Sequence, residues 1–158
     1  MKLYLKQKMF SFRDKSTLYD AAGNPCYYSE MPMRMHFGKQ IEIKDMMGNM
    51  VAFLRGKVFS FLPTYYVEVE GQVVATIVKQ FTLFRNEYTI DGVGWVVHGN
   101  MFDHEYAIFE GDKQIASVCK AYFTLGDAYE IDISPEAPIV TALAVVLAID
   151  AVLDDQRD

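Results

Sequence analysis

The feature that most constrains this chain is an apolar segment near its C-terminus, SPEAPIVTALAVVLAIDAVLDD. Between Pro138 and Asp154, its apolar residues are interrupted by two polar ones, Thr141 and Asp150. A helix that is apolar on every side has to be covered by a membrane, by a partner or by the rest of its own chain. Because no polar stripe divides this segment, it does not have the pattern of an amphipathic helix that docks on a partner.

The length and the flanks of this segment argue against a membrane span. Ser134, Pro135 and Glu136 are typical of a helix start. Regular helix is expected from Pro138 to Leu153, which at 1.5 Å per residue extends over about 24 Å. The hydrocarbon core of a bilayer is about 30 Å thick and requires about twenty apolar residues. The segment is shorter and contains Asp150, so we predict that the helix is buried inside the protein.

The sequence before this helix predicts antiparallel strands. Apolar and acidic residues alternate in YVEVEG and YEIDIS, which places apolar side chains on one face and acidic ones on the other. Turns rich in Gly, Asp and Asn separate these stretches, with DAAGN and DMMGN as two copies of one turn. We predict about twelve strands between Tyr4 and Ile133, and closing them into a barrel removes exposed sheet edges.

A barrel of this size needs more filling than its own wall supplies, since about eight strands already suffice for an interior packed by side chains. We therefore predict that the apolar helix is threaded through the centre of the barrel. Small residues such as Ala144 let the barrel wall approach the helix closely, and larger ones such as Leu147 fill the space between helix and wall. Asp150 is predicted to be a structural buried acid that reaches a barrel mouth or meets Lys79 or Lys120. A solvated Asp near the helix end is the alternative.

The net charge of −6 argues against a nucleic-acid partner, which would require a basic face. The charge is uneven along the chain. Residues 1–79 contain eleven Lys and Arg against seven Asp and Glu, a balance of +4, whereas residues 80–158 contain four against fourteen, a balance of −10. Such asymmetry can indicate a polarised surface. The interpretation favoured from sequence is that the two halves interleave in the fold and their fields cancel.

Cysteine usage and the N-terminal sequence indicate a cytoplasmic protein. Cys26 and Cys119 are far apart, with no CxxC spacing, which fits a reducing compartment. Cys119, within QIASVCKAYF, is expected to be a small core residue. The N-terminal sequence MKLYLKQKMFSFRDK contains no apolar stretch of the kind that a secretory signal requires, and we expect no transmembrane segment.

These residues together resemble bacterial members of the LURP-one-related family, within the tubby C-terminal-like superfamily. The resemblance rests on the paired Asp-x-x-Gly-Asn turns, the hairpin strands VVATIVKQFTLF and QIASVCKAYF, and the terminal ALAVVLAIDAV. It implies a mainly β, closed barrel of about twelve antiparallel strands with a hydrophobic C-terminal α-helix through its centre. The expected single domain covers residues 1–158, with strands over about 3–133 and the helix over about 138–153.

The resemblance also implies a function. Tubby proteins bind phosphatidylinositol bisphosphate through basic residues on the barrel surface. In this chain the nearest candidates for such lipid binding are Arg55, Lys57 and Lys79. The acidic total departs from what a headgroup binder would show.

Residues that could support catalysis or metal binding are few. His98 and His104 flank Asp103 in WVVHGNMFDHEY, but the spacing does not match a zinc site, and a solvated turn is the preferred interpretation. No nucleophile motif or phosphate-binding loop is present. The sequence therefore predicts no enzyme, no catalytic residues, no metal and no cofactor. The methionines of MPMRMHF and DMMGNM are expected to fill the core, with an adaptable binding rim as the alternative.

The function predicted from sequence is a non-catalytic binding or scaffold domain whose partner is an anionic lipid headgroup or a protein. The first alternative is phospholipid or phosphoinositide binding at a basic patch on the barrel surface. The second alternative is a small-ligand or enzymatic site at a barrel mouth, which would require a concave pocket with converging polar groups.

Overall fold

A computed structural model describes residues 1–6, 15–31, 39–57, 61–81, 86–122 and 127–154 of the chain. These residues form twelve strands followed by one helix. The strands are β1 (Lys2–Leu5), β2 (Ser16–Tyr19), β3 (Pro25–Glu30), β4 (Gln40–Asp45), β5 (Met50–Gly56), β6 (Thr64–Val69), β7 (Gln72–Phe81), β8 (Asn86–Asp91), β9 (Val96–Asn100), β10 (Glu105–Glu110), β11 (Lys113–Tyr122) and β12 (Asp127–Ile133), and the helix is α1 (Ile139–Asp154).

All twelve strands belong to one antiparallel sheet, in the order β8-β7-β6-β5-β4-β3-β2-β1-β12-β11-β10-β9. The first and last strands are neighbours, with Leu3 opposite Ile131. The sheet curls into a nearly closed barrel whose two edge strands, β8 and β9, are joined by the short connection at residues 92–95. The predicted fold class is therefore confirmed.

The alternation read from the sequence decides which side chains enter the barrel. In β6, Tyr65 and Val67 are buried, while Glu68 lies on the outer face and is half-buried. In β12, Ile131 and Ile133 are fully buried in the same way. Successive side chains of a strand point to opposite faces, so one apolar parity in each strand is sufficient to line the interior.

Helix α1 fills that interior. Every residue from Ala142 to Leu153 is at most 3% exposed, and the helix packs against β5, β6, β7, β11 and β12, which belong to different parts of the wall. Complete burial of each Leu or Ile stabilises the fold by about 1.5–3 kcal/mol. The prediction that the chain covers its own apolar helix is confirmed. Among the described residues, no helix combines the length and the apolar character that crossing a bilayer requires.

The barrel has two unlike ends. At the turn end, short connections join β2 to β3, β4 to β5, β6 to β7 and β10 to β11, and α1 begins there after β12. At the opposite end, called the rim end, β1, β3, β5, β7, β9 and β11 finish, and α1 terminates there. The helix has sixteen residues and extends about 24 Å from the turn end to the rim end.

Two turns at the turn end share one hydrogen-bond pattern. The backbone N–H of Asp20 donates to the carbonyl of Asn24 at 2.8 Å, and the N–H of Asn24 donates to Oδ1 of Asp20 at 2.8 Å. The corresponding distances between Asp45 and Asn49 are 3.0 and 2.9 Å. Gly48 has φ of 87°, a conformation that glycine adopts without steric cost. Asp, Gly and Asn therefore build the turn, whichever residues occupy its second and third positions.

Candidate functional site

The two halves of the sequence build separate sides of the barrel. Strands β1 to β7 are consecutive in the sheet and form what we call the N-terminal arc. Strands β8 to β12 lie on either side of it and face each other across the near-closure, forming the C-terminal arc. The interleaved arrangement favoured from sequence is therefore wrong. The strands of the half with the +4 balance lie on one side, and those of the half with the −10 balance lie on the other.

Among the residues that the structure describes, four lysines stand directly outside strands at the rim end of the N-terminal arc, and we call them the basic rim. Lys6 follows β1, Lys15 precedes β2, Lys39 precedes β4 and Lys57 follows β5. Lys6, Lys15 and Lys57 are exposed, and Lys39 is half-buried. The backbone N–H of Gly56 donates to the carbonyl of Lys39 at 2.9 Å, which makes Lys39 and Lys57 neighbours.

Two rim lysines lie over tyrosine rings. Nζ of Lys6 is 4.8 Å from the ring centroid of Tyr19, and Nζ of Lys15 is 3.9 Å from that of Tyr28. A cation–π contact positions an ammonium group without neutralising it, so the charge remains available to an anionic partner.

Glu30, the acidic residue that ends β3 in this arc, pairs with a lysine that lies away from the rim end. Glu30 accepts a hydrogen bond from Nζ of Lys44, and Lys44 also forms an ion pair with Glu42 at 3.1 Å. These two carboxylates raise the pKa of Lys44. Glu30 is thus bound to a lysine of β4 and not to those of the basic rim.

The three lipid-binding candidates lie near the rim end of β5 and β7, but they differ in exposure. Lys57 is exposed and belongs to the basic rim. Arg55 is on the outer face of β5 and forms an ion pair with Glu68 at 3.6 Å. Lys79 has the parity of the inward-facing residues of β7 and is only 9% exposed. These three residues therefore have different surroundings, and Lys57 is the exposed one, with the half-buried Lys39 as its neighbour.

Asp150 is enclosed in the barrel, with 0% exposure. Neither of its carboxyl oxygens has a hydrogen-bond partner, so it forms no hydrogen bond with Lys79 or Lys120. Burial raises the pKa of Asp150 well above its ordinary value, which favours the neutral acid. Neither the lysine pairing nor the solvated alternative describes its position. The reason is that α1 is still inside the wall one turn before it ends.

The two histidines of the β9–β10 hairpin point to different environments. His98 is exposed and packs edge-on against Phe109, with ring centroids 5.5 Å apart. His104 is buried and packs edge-on against Tyr129 at 5.1 Å, so the solvated-turn interpretation is wrong for this residue. Within the described ranges, no three His, Cys, Asp or Glu side chains are grouped as a metal site would require.

The methionines of DMMGNM are not core residues, which corrects the preferred interpretation. Met46, Met47 and Met50 are 47%, 87% and 57% exposed. They occupy the β4–β5 turn and the first position of β5, where the turn directs side chains away from the barrel. Met31, the first residue of MPMRMHF, packs against the core, and the rest of that stretch lies outside the described residues. Cys119 is also exposed, contrary to the expectation of a core position.

Sequence reasoning missed the basic rim because Lys6, Lys15 and Lys39 are not adjacent in the chain. A signal was present: each lysine stands directly outside a strand, and antiparallel strands place alternate connections at the same end. Counting strand ends would have brought these three residues and Lys57 to one rim.

Comparisons with known proteins agree with this architecture. The model of the family described as LURP-one-related matches residues 1–150. The uncharacterized protein YxjI of Bacillus subtilis is 27% identical over 158 residues, a match that covers 100% of this chain and 97% of that protein. The X-ray structure of an Arabidopsis thaliana protein matches with a TM-score of 0.64 and 14% identity, covering 96% of this chain and 90% of the other. This structural likeness shows the fold.

Proposed function

The chain belongs to the LURP-one-related family, and we propose that it is a non-catalytic binding domain whose basic rim holds the anionic headgroups of a phospholipid surface. The observation that carries this proposal is the placement of Lys6, Lys15, Lys39 and Lys57 at one end of one arc. The acidic residues are concentrated in the half of the chain that builds the opposite arc. A protein with this distribution would approach an anionic surface with one side.

The expected strength follows from the number of lysines. Each Lys near an anionic membrane surface contributes about 1 kcal/mol, so the three exposed lysines of the rim, Lys6, Lys15 and Lys57, contribute roughly 3 kcal/mol, or somewhat more than a hundredfold in affinity. Exposed charges are screened over about 10 Å at 0.1 M salt, so this attraction requires close contact and weakens as salt is added. Binding is therefore expected to be reversible and strongly dependent on ionic strength.

Co-sedimentation with lipid vesicles tests the proposal. The protein is expected to pellet with vesicles of phosphatidylserine and phosphatidylcholine at low salt, to be released as sodium chloride is added, and to remain in solution with phosphatidylcholine alone. Failure to pellet with the anionic vesicles at low salt would remove lipid binding from consideration. Equal pelleting with both vesicle types would show that charge is not the cause.

Two charge-matched variants locate the binding surface. The first carries Lys6→Gln, Lys15→Gln and Lys57→Gln, all on the basic rim. The control carries substitutions of three lysines elsewhere on the barrel, Lys2→Gln, Lys113→Gln and Lys120→Gln. Both variants lose the same net charge. The first is expected to lose most of its vesicle binding and the control to retain it, whereas equal losses would mean that net charge decides binding and the rim has no special role.

A further inference from the structure

The β4–β5 turn presents methionines that its own fold does not need. In the matching β2–β3 turn, the second and third positions are Ala21 and Ala22, and the hydrogen bonds are the same. In the β4–β5 turn these positions are Met46 and Met47, with Met50 starting the next strand. We call these three methionines the methionine tip. Their exposure is not explained by the backbone, since alanine supports the same turn.

Acidic residues surround the methionine tip. The turns before β3, β5 and β7 lie at the same end of the barrel, because strands β2 to β7 are consecutive in the sheet. Each of these turns contains one acidic residue: Asp20, Asp45 and Glu70. Hydrogen bonds from Asn24 and Asn49 lower the pKa of the two aspartates, which keeps them charged. The positive charge of the nearby Lys44 is neutralised by its ion pairs with Glu30 and Glu42. This surface is therefore apolar at its centre and negatively charged around it.

From this arrangement we propose that the methionine tip docks a basic amphipathic segment of a partner protein. Methionine side chains are flexible and polarisable, and they adapt to differently shaped apolar surfaces. The aspartates and Glu70 would pair with Lys or Arg on the flanks of such a segment, which is the charge pattern of peptides that lay an apolar helix face on an acidic surface. An anionic membrane does not fit, because its charge has the same sign as that of the turns.

This surface is independent of the basic rim. The methionine tip lies at the turn end and the lysines lie at the rim end, so about the full length of the barrel separates them. The two surfaces also attract partners of opposite charge, so the test of one proposal does not depend on the outcome of the other.

Fluorescence anisotropy with labelled melittin, a basic amphipathic peptide, tests the inference on the full chain. Saturable binding to the wild-type protein is expected. The variant Met46→Ala with Met47→Ala gives this turn the DAAGN sequence of its neighbour, and we expect about a tenfold weaker affinity, the loss typical of a central contact residue. Its urea unfolding midpoint is expected to stay unchanged, because the hydrogen bonds of Asp45 and Asn49 remain.

Two further variants distinguish binding at the methionine tip from nonspecific binding to exposed apolar side chains. Phe102→Ala removes an exposed apolar side chain at the rim end and is expected to leave melittin binding unchanged. Asp20→Asn with Glu70→Gln is expected to weaken binding and to reduce its dependence on salt. The inference is overturned if wild-type protein does not bind melittin, if the double alanine variant binds as well as wild type, or if Phe102→Ala weakens binding equally.

Discussion

The carboxyl group of Asp150 and the hydroxyl group of Tyr106 are both buried inside the barrel, and neither has a hydrogen-bond partner. The pKa of Tyr106 is raised well above its ordinary value, mainly by burial and further by the negative charge that Asp150 would carry. Two polar groups are thus buried in the barrel interior without hydrogen-bond partners. A buried polar group without a partner destabilises the folded state, so this pair allows direct tests of stability.

Replacement of Asp150 by leucine is expected to stabilise the protein. The substitution removes a carboxyl group that has lost its hydration without gaining a partner, an effect of about 1–3 kcal/mol. Urea unfolding measures the difference in unfolding free energy between the variant and wild type. The slope of the unfolding free energy against urea concentration is expected to stay unchanged. Asp150→Asn is the control, since its amide remains buried and is expected to give a smaller gain. A loss of stability in the leucine variant would contradict the expectation that the unpartnered carboxyl group of Asp150 destabilises the fold.

The buried acid also gives the stability a pH dependence of defined sign. Burial raises the pKa of Asp150 in the folded state well above its ordinary value, so the folded state binds this proton more tightly than the unfolded state does. Its contribution therefore falls as pH rises above about 4, by up to about 1.4 kcal/mol per pH unit until the folded-state pKa is reached. Unfolding free energies of wild type and Asp150→Asn, measured between about pH 5 and pH 8, should diverge with increasing pH. Parallel curves would contradict the raised pKa.

Gly99 is expected to tolerate no side chain. Its φ is 116°, and a Cβ atom would lie 2.5 Å from the carbonyl oxygen of Glu105 and 2.8 Å from Cα of Tyr106. Gly111 has φ of 59° with nothing within 4 Å of the same position, which makes it a matched control. Gly99→Ala should lower the unfolding free energy by about 1–3 kcal/mol more than Gly111→Ala. Equal effects in thermal or urea unfolding would mean that β9 relaxes at no cost.

Shortening one buried side chain of α1 should show how much the burial of this helix contributes to stability. Leu143 is fully buried, and Leu143→Ala is expected to cost about 2–5 kcal/mol, because the cavity that it leaves cannot collapse between helix and wall. Met47→Ala removes a side chain of similar size that is 87% exposed and should change stability by less than about 0.5 kcal/mol. Urea unfolding of both variants gives the comparison. A small effect of Leu143→Ala would show that the barrel closes around a shorter side chain.

Much of the architecture follows from local sequence patterns. The alternation in β6 and β12 assigns Tyr65 and Ile131 to the interior, because adjacent strand residues point to opposite faces. The repeated Asp-x-x-Gly-Asn turns fix two hairpins through hydrogen bonds that each turn makes within itself. The helix from Ile139 to Asp154 lies within one residue of its predicted ends, since composition and capping residues act locally.

Other features depend on contacts between residues that are distant in the chain. The tertiary structure decided that the two halves form separate arcs, that Lys79 points inward, and that Lys57 lies near Lys39. It also decided that Met47 is exposed and that Asp150 is buried with no hydrogen-bond partner for its carboxyl group. A strand pattern determines which face a residue takes, but strand order and register determine its neighbours. Those depend on the closure of the whole sheet around the helix, which no short stretch of sequence contains.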